Sequence, residues 1–74
     1  MKQRAVVLAD LAAAHLAQGD LERSCSIAVD AADRLRQAGY ATGLDRLLTL
    51  RSRMTPWSNC AAVRDLDQHL ALAA

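Results

Sequence analysis

Residues 14–35 read AHLAQGDLERSCSIAVDAADRL, two alanine-rich runs separated by Gly19-Asp20. The texture on either side is the same, so the pair acts as punctuation between two helices. Glycine reaches the left-handed conformation that closes a helix C-terminus. Aspartate is a good N-cap, and Glu22 in the next first turn favours the positive end of the helix dipole. The reading is a tight helical hairpin, and the same logic extends outward in both directions.

Upstream, a helix is predicted over about 2–17. Leu8, Leu11, Ala12, His15 and Leu16 recur at spacings of three and four and share one face. Downstream, the second helix covers about 21–37. Leu21, Cys25, Ala28, Ala32 and Leu35 form its main stripe, and Ile27, Ala31 and Arg34 flank it, so contact on two sides is expected. Ala38-Gly39 ends it. A third helix is predicted over about 40–54, with Leu44, Leu47, Leu48, Leu50 and Met54 as its apolar side and Arg46, Arg51 and Arg53 as its wet side. Gly43 inside it costs roughly 1 kcal/mol relative to alanine or marks a late start capped by Thr42. Pro56 breaks this helix. Ser58 or Asn59 then caps a fourth helix over about 60–72, with Val63, Leu66 and Leu70 as its core face. No strand pattern appears. The expected fold is all-α: a single domain, 1–74, of four antiparallel helices joined by short connections.

Composition bounds what such a domain does. Seventy-four residues give one small core, and that core lacks phenylalanine although 53% of the chain is hydrophobic. Much of that fraction is alanine, which buries little area. The chain should therefore gain from packing against something else. Nine basic and eight acidic residues are interspersed, for a net charge of +1. That leaves no footprint for nucleic acid and no basic face for a membrane. Asp10 and His15 interrupt the N-terminal apolar stretch, which argues against a signal peptide. Two cysteines without a disulfide framework suit a reducing cytoplasm.

The hairpin residues resemble a tetratricopeptide repeat, whose pattern runs close to L-G-x-x-Y-x-x-x-G-D-Y-x-x-A-x-x-x-Y-x-x-A. Leu11 stands at the first position, Ala12 at the small second one and His15 at the tyrosine. Gly19-Asp20-Leu21 matches Gly-Asp-Tyr, Ser24 replaces the first alanine, Ala28 the second large residue, and Ala31 matches the last alanine. The aromatic positions are thus non-aromatic here. Small residues at Ala12, Ser24 and Ala31 permit close helix approach. The C-terminal part, LLTLRSRMTPWSNCAAVRDLDQHL, is similar to the end of actinobacterial helix-turn-helix regulators that carry such repeats. Ala62 to Leu70 matches their last helix, and Cys60 stands where that family often has a second proline. The resemblance implies a regulatory setting. The DNA-binding domain of those regulators has no counterpart in these residues, so nucleic-acid binding is not carried over.

Candidate chemistry is sparse. His15, Cys25, Cys60 and His69 lack the close ligand pairs of a structural zinc site. Cys60 and His69 are nine residues apart on one predicted helix, about 13.5 Å of rise, and do not meet within it. Asp30, Asp33, Asp65 and Asp67 read as solvated faces beside Arg34, Arg36 and Arg64. No catalytic, metal or cofactor residue is assigned. Trp57 and Tyr40 lie at helix junctions, and Trp57, the largest side chain, is expected to cover the apolar end of the bundle. Helical repeats usually need about three units to bury a continuous core, and the chain holds roughly one and three-quarters. The last helix is polar enough to cap one end. The first has nothing ahead of it, so Val6, Val7 and Leu11, with Trp57, form the candidate interaction surface. The expected function is a non-enzymatic module that binds a protein or peptide partner, or a second copy of itself as a homodimer. A catalytic or ligand-binding accessory domain of an enzyme is the remaining alternative.

Overall fold

A computed structural model describes residues 4–38 and 42–73, with side chains placed over 7–37 and 43–72. Four α-helices follow one another: α1 (Arg4–Ala17), α2 (Leu21–Ala38), α3 (Thr42–Ser52) and α4 (Ala61–Ala73), with a short 3-10 turn, η1 (Thr55–Trp57), ahead of the last. Among the described residues there is no strand. None of these helices is long and apolar enough to cross a membrane. The expected starts at residues 2 and 40, the Gly39 stop and the junction role of Tyr40 lie outside the described residues.

The Gly19-Asp20 turn is built from both of its residues. Gly19 has φ +84°. Its N–H donates to the Leu16 carbonyl and that of Asp20 to the His15 carbonyl, the paired bonds that satisfy the last carbonyls of a helix ending in a left-handed residue. The Asp20 carboxylate then accepts from the Arg23 N–H at 3.2 Å, while its carbonyl accepts the first bond of α2, from Ser24. A Cβ at Gly19 would meet nothing within 4 Å, so Gly19→Ala carries backbone strain alone. The expected loss is about 1–2 kcal/mol by thermal or urea unfolding, with Gly19→Asn losing less.

Two boundaries differ from the expectation. The helix α3 ends at Ser52 rather than Met54. Arg53 and Met54 donate three residues back, to Leu50 and Arg51, so the chain tightens ahead of Pro56 and Met54 reaches the core from a turn. The helix α4 begins at Ala61, and the Cys60 carbonyl accepts its first bond, from Arg64. Cys60 therefore holds the cap position expected for Ser58 or Asn59.

The core is a mosaic of small and large side chains. Ala9 and Ala12 of α1, Cys25, Ala28, Ala31, Ala32 and Leu35 of α2, Leu47 and Leu50 of α3, Met54, and Val63, Leu66 and Leu70 of α4 are all buried. The helix α2 is central, packed against the other three. Its buried residues fall on two stripes, which is why alanine dominates them: neighbours approach from both sides. Ser24 is the one buried polar side chain among the described residues. Its hydroxyl donates to the Ala12 carbonyl at 2.7 Å, tying α2 to α1. Leu48 is 48% exposed, a correction to the expected apolar side of the third helix: one residue past Leu47 is about 100° around the helix and off the packed face.

Candidate interaction site

The helices α1 and α3 flank a shallow groove of about 280 Å³. Its floor is apolar, made by Ala9, Ala13 and Leu50. Asp10 and Arg46 close one part of the rim, with Arg46 Nη1 donating to Asp10 Oδ1 at 3.1 Å. Both side chains are mostly exposed, so the pair contributes little stability and remains available for exchange with a ligand's charges. Asp45 and Thr49 of α3, and Arg53 in the turn after it, continue the rim. Among the described residues no carboxylate lies within ion-pair distance of Arg53. Arg46 and Thr49 are three residues apart and so neighbours on α3, and Arg53 follows in the turn beyond its end. The sequence reading placed these arginines on a solvated face and missed the groove, because its floor comes from another helix.

Arg51 departs from the expected wet side. It is half-buried and grips Asp67 of α4 through two nitrogens, Nε to Oδ1 and Nη2 to Oδ2, the latter at 3.0 Å. That hydrogen bond raises the Arg51 pKa above the ordinary arginine value. Asp33 and His69 make the matching tie between α2 and α4, with Asp33 Oδ1 2.8 Å from His69 Nδ1. Asp30 pairs with Arg34 at 3.3 Å and Asp33 with Arg36 at 3.9 Å within α2.

Of the nine residues matched to the repeat pattern, Ala12, Ser24, Ala28 and Ala31 are buried, and His15 and Leu21 are half-buried. Gly19 and Asp20 form the turn. Leu11 is 44% exposed and Val7, one turn earlier, 61% exposed. The side chain of Val6 lies outside the described residues. Trp57 is 43% exposed, a correction to its expected role as a cover for the core: it rides on η1, whose residues are all outside the core. Val7 and Leu11 thus share one helix face, and Trp57 belongs to a different element.

The four zinc candidates are dispersed, and among the described residues no group of three or more histidine, cysteine or acidic side chains is placed to hold a metal ion. Cys25 is buried and Cys60 exposed. Burial pushes the Cys25 thiol pKa up, with Cys60 adding to the shift, and its Sγ lies 3.8 Å from Met54 Sδ. A thiol-directed alkylating reagent is expected to modify Cys60 promptly in the native chain, and Cys25 only as fast as the core opens. Mass spectrometry over time should show one adduct long before the second. Equal rates would mean an open core. Comparison of the chain with protein-family models, with curated proteins and with solved structures finds no match.

Proposed function

We propose that the chain is a tetratricopeptide-like, non-enzymatic interaction module of a cytoplasmic regulatory protein, and that the groove between α1 and α3 holds a peptide segment of the partner. One observation carries the reading. The two ties from an aspartate that cross from the first helical pair to the second, Asp10–Arg46 and Asp33–His69, each span 36 residues. One joins first helix to first helix, the other second to second, as expected of two stacked units of one repeat.

The helix directions support the same arrangement. Leu35, near the end of α2, lies against Gly43 at the start of α3, and Cys25 at the start of α2 touches Met54 just past α3. Those contacts fit antiparallel helices. Cys25 and Ser26 share a cavity with Ala62 and Asp65, while Asp33 meets His69 further along both. That order fits α2 and α4 side by side and parallel. The groove then lies along one surface of the stack, with an apolar floor for a side chain and Arg53 for a carboxylate.

Selection from a displayed random-peptide library tests this directly. Selected peptides are expected to shift the amide resonances of Ala9, Ala13 and Thr49, to be enriched in Asp or Glu, and to lose about tenfold or more in affinity with Arg53→Glu, a charge reversal at a contact. Peptides that bind elsewhere, or binding indifferent to Arg53→Glu, would overturn the groove assignment.

A further inference from the structure

The rim of the groove between α1 and α3 carries four charged side chains, Asp10, Asp45, Arg46 and Arg53. Asp10 and Arg46 meet across it at 3.1 Å and neutralise each other. Asp45 and Arg53 are both exposed, and among the described residues neither has an opposite charge within ion-pair distance. They stand eight residues apart, about 12 Å at the rise of a helix. Asp45 is in the first turn of α3 and Arg53 in the turn after its end. The dipole of α3 favours an acid at the first place and a base at the second, which accounts for the two signs. What makes them a recognition pair is the groove they share. Between them in the chain, Thr49 spends its hydroxyl proton on the Asp45 carbonyl at 3.0 Å, and Leu50 forms the floor with Ala9 and Ala13. Along its length the groove therefore offers acid, apolar floor, base.

We infer that the groove selects a zwitterionic stretch of extended peptide, with a basic side chain for Asp45, a small apolar one for the floor and an acidic one for Arg53 at alternate positions. This rests on the groove reading proposed above, which asks only for a carboxylate at Arg53. The cation at the other end and the spacing are new. The spacing follows from strand geometry. Side chains at i, i+2 and i+4 of an extended chain lie on one face, and four steps of about 3.3 Å span about 13 Å, close to the separation of Asp45 and Arg53. The ligand pattern is basic–x–apolar–x–acidic, read in either chain direction. A helix would match the two charges only with residues eight apart, and would set a cylinder about 10 Å wide on a floor of two alanines and one leucine. A uniformly acidic segment gains at Arg53 and is repelled at Asp45, and a uniformly basic one does the reverse.

Two peptides of one composition with blocked termini test it: Gly-Lys-Ser-Val-Ser-Glu-Gly, and Gly-Ser-Val-Ser-Lys-Glu-Gly, in which the charges are adjacent. In titrations followed by NMR, the first peptide is expected to move the amide resonances of Ala9, Ala13 and Thr49. It should bind about threefold or more tighter than the second, as two exposed ion pairs allow, and the difference should shrink in about 1 M salt. Asp45→Lys, a change at an exposed position, should remove the preference, and Asp45→Asn should fall between. The first peptide with Glu in place of Lys should bind the Asp45→Lys variant more tightly than it binds the parent chain. Groove binding that is equal for the two peptides, or indifferent to Asp45→Lys, would overturn the charge order and leave the groove itself standing. If no peptide, those selected from a library included, moves a resonance in the groove, the groove and the inference fall together.

Discussion

Leu47→Ala is expected to cost about 2–5 kcal/mol, and Leu11→Ala less than about 1 kcal/mol, in the same chain under the same conditions. The two leucines occupy matching positions 36 residues apart, the offset of the cross-pair ties. Leu47 is 1% exposed and Leu11 is 44% exposed. Truncating Leu47 removes most of a buried side chain and leaves a cavity between α3 and its neighbours, so both the transfer and the cavity terms apply. Truncating Leu11 removes a side chain already half in water. In a domain of this size 1 kcal/mol moves the melting midpoint by roughly 4–8 °C, so the two variants should separate clearly. Equal losses would show that the α1 face is covered in solution.

The second large effect is expected at Ala28. It has no exposed surface and sits where the tetratricopeptide pattern carries a large residue. The close approach of α2 to α1 leaves no room for one: the Ser24 hydroxyl reaches the Ala12 carbonyl at 2.7 Å one turn away. Ala28→Leu adds three carbons to a packed site and is expected to cost about 1–3 kcal/mol or more through strain and helix displacement. Ala28→Gly would cost about 1 kcal/mol through helix propensity, plus the contacts of one lost methyl. A neutral Ala28→Leu, read by urea unfolding, would mean that the helices stand further apart than described.

The four helices were legible because their signals are local. Gly19-Asp20 is a stop and a cap in two adjacent residues, Pro56 is a break, and the stripes of α2 and α4 repeat at three and four. What depended on a neighbour was not legible. Leu47 and Leu48 are the same residue type, and only the placement of the helices packed on α3 decides which is buried. Arg51 and Arg53 look alike in sequence, yet one faces Asp67 and the other the groove. The offset between pairs is equally hidden: Val7 and Gly43, Ala14 and Leu50, Gln18 and Met54 differ in type, while Leu8 and Leu44, and Leu11 and Leu47, agree. Burial, which depends on what lies ahead of each pair, is what aligns them. The groove escaped for the same reason, since Ala9 and Ala13 became a floor only once α3 lay beside α1.

The stacked arrangement of the two pairs is the claim on which the groove and the order of charges along it both depend, and proton–proton proximities measured by NMR test it most directly. The account expects cross-peaks from the His69 ring to the Asp33 β-protons and from the Met54 methyl to the Cys25 β-protons. A His69 ring that instead reports Glu22 and Ser26 would mean that α4 runs opposite to α2, closing a four-helix bundle in place of a stack.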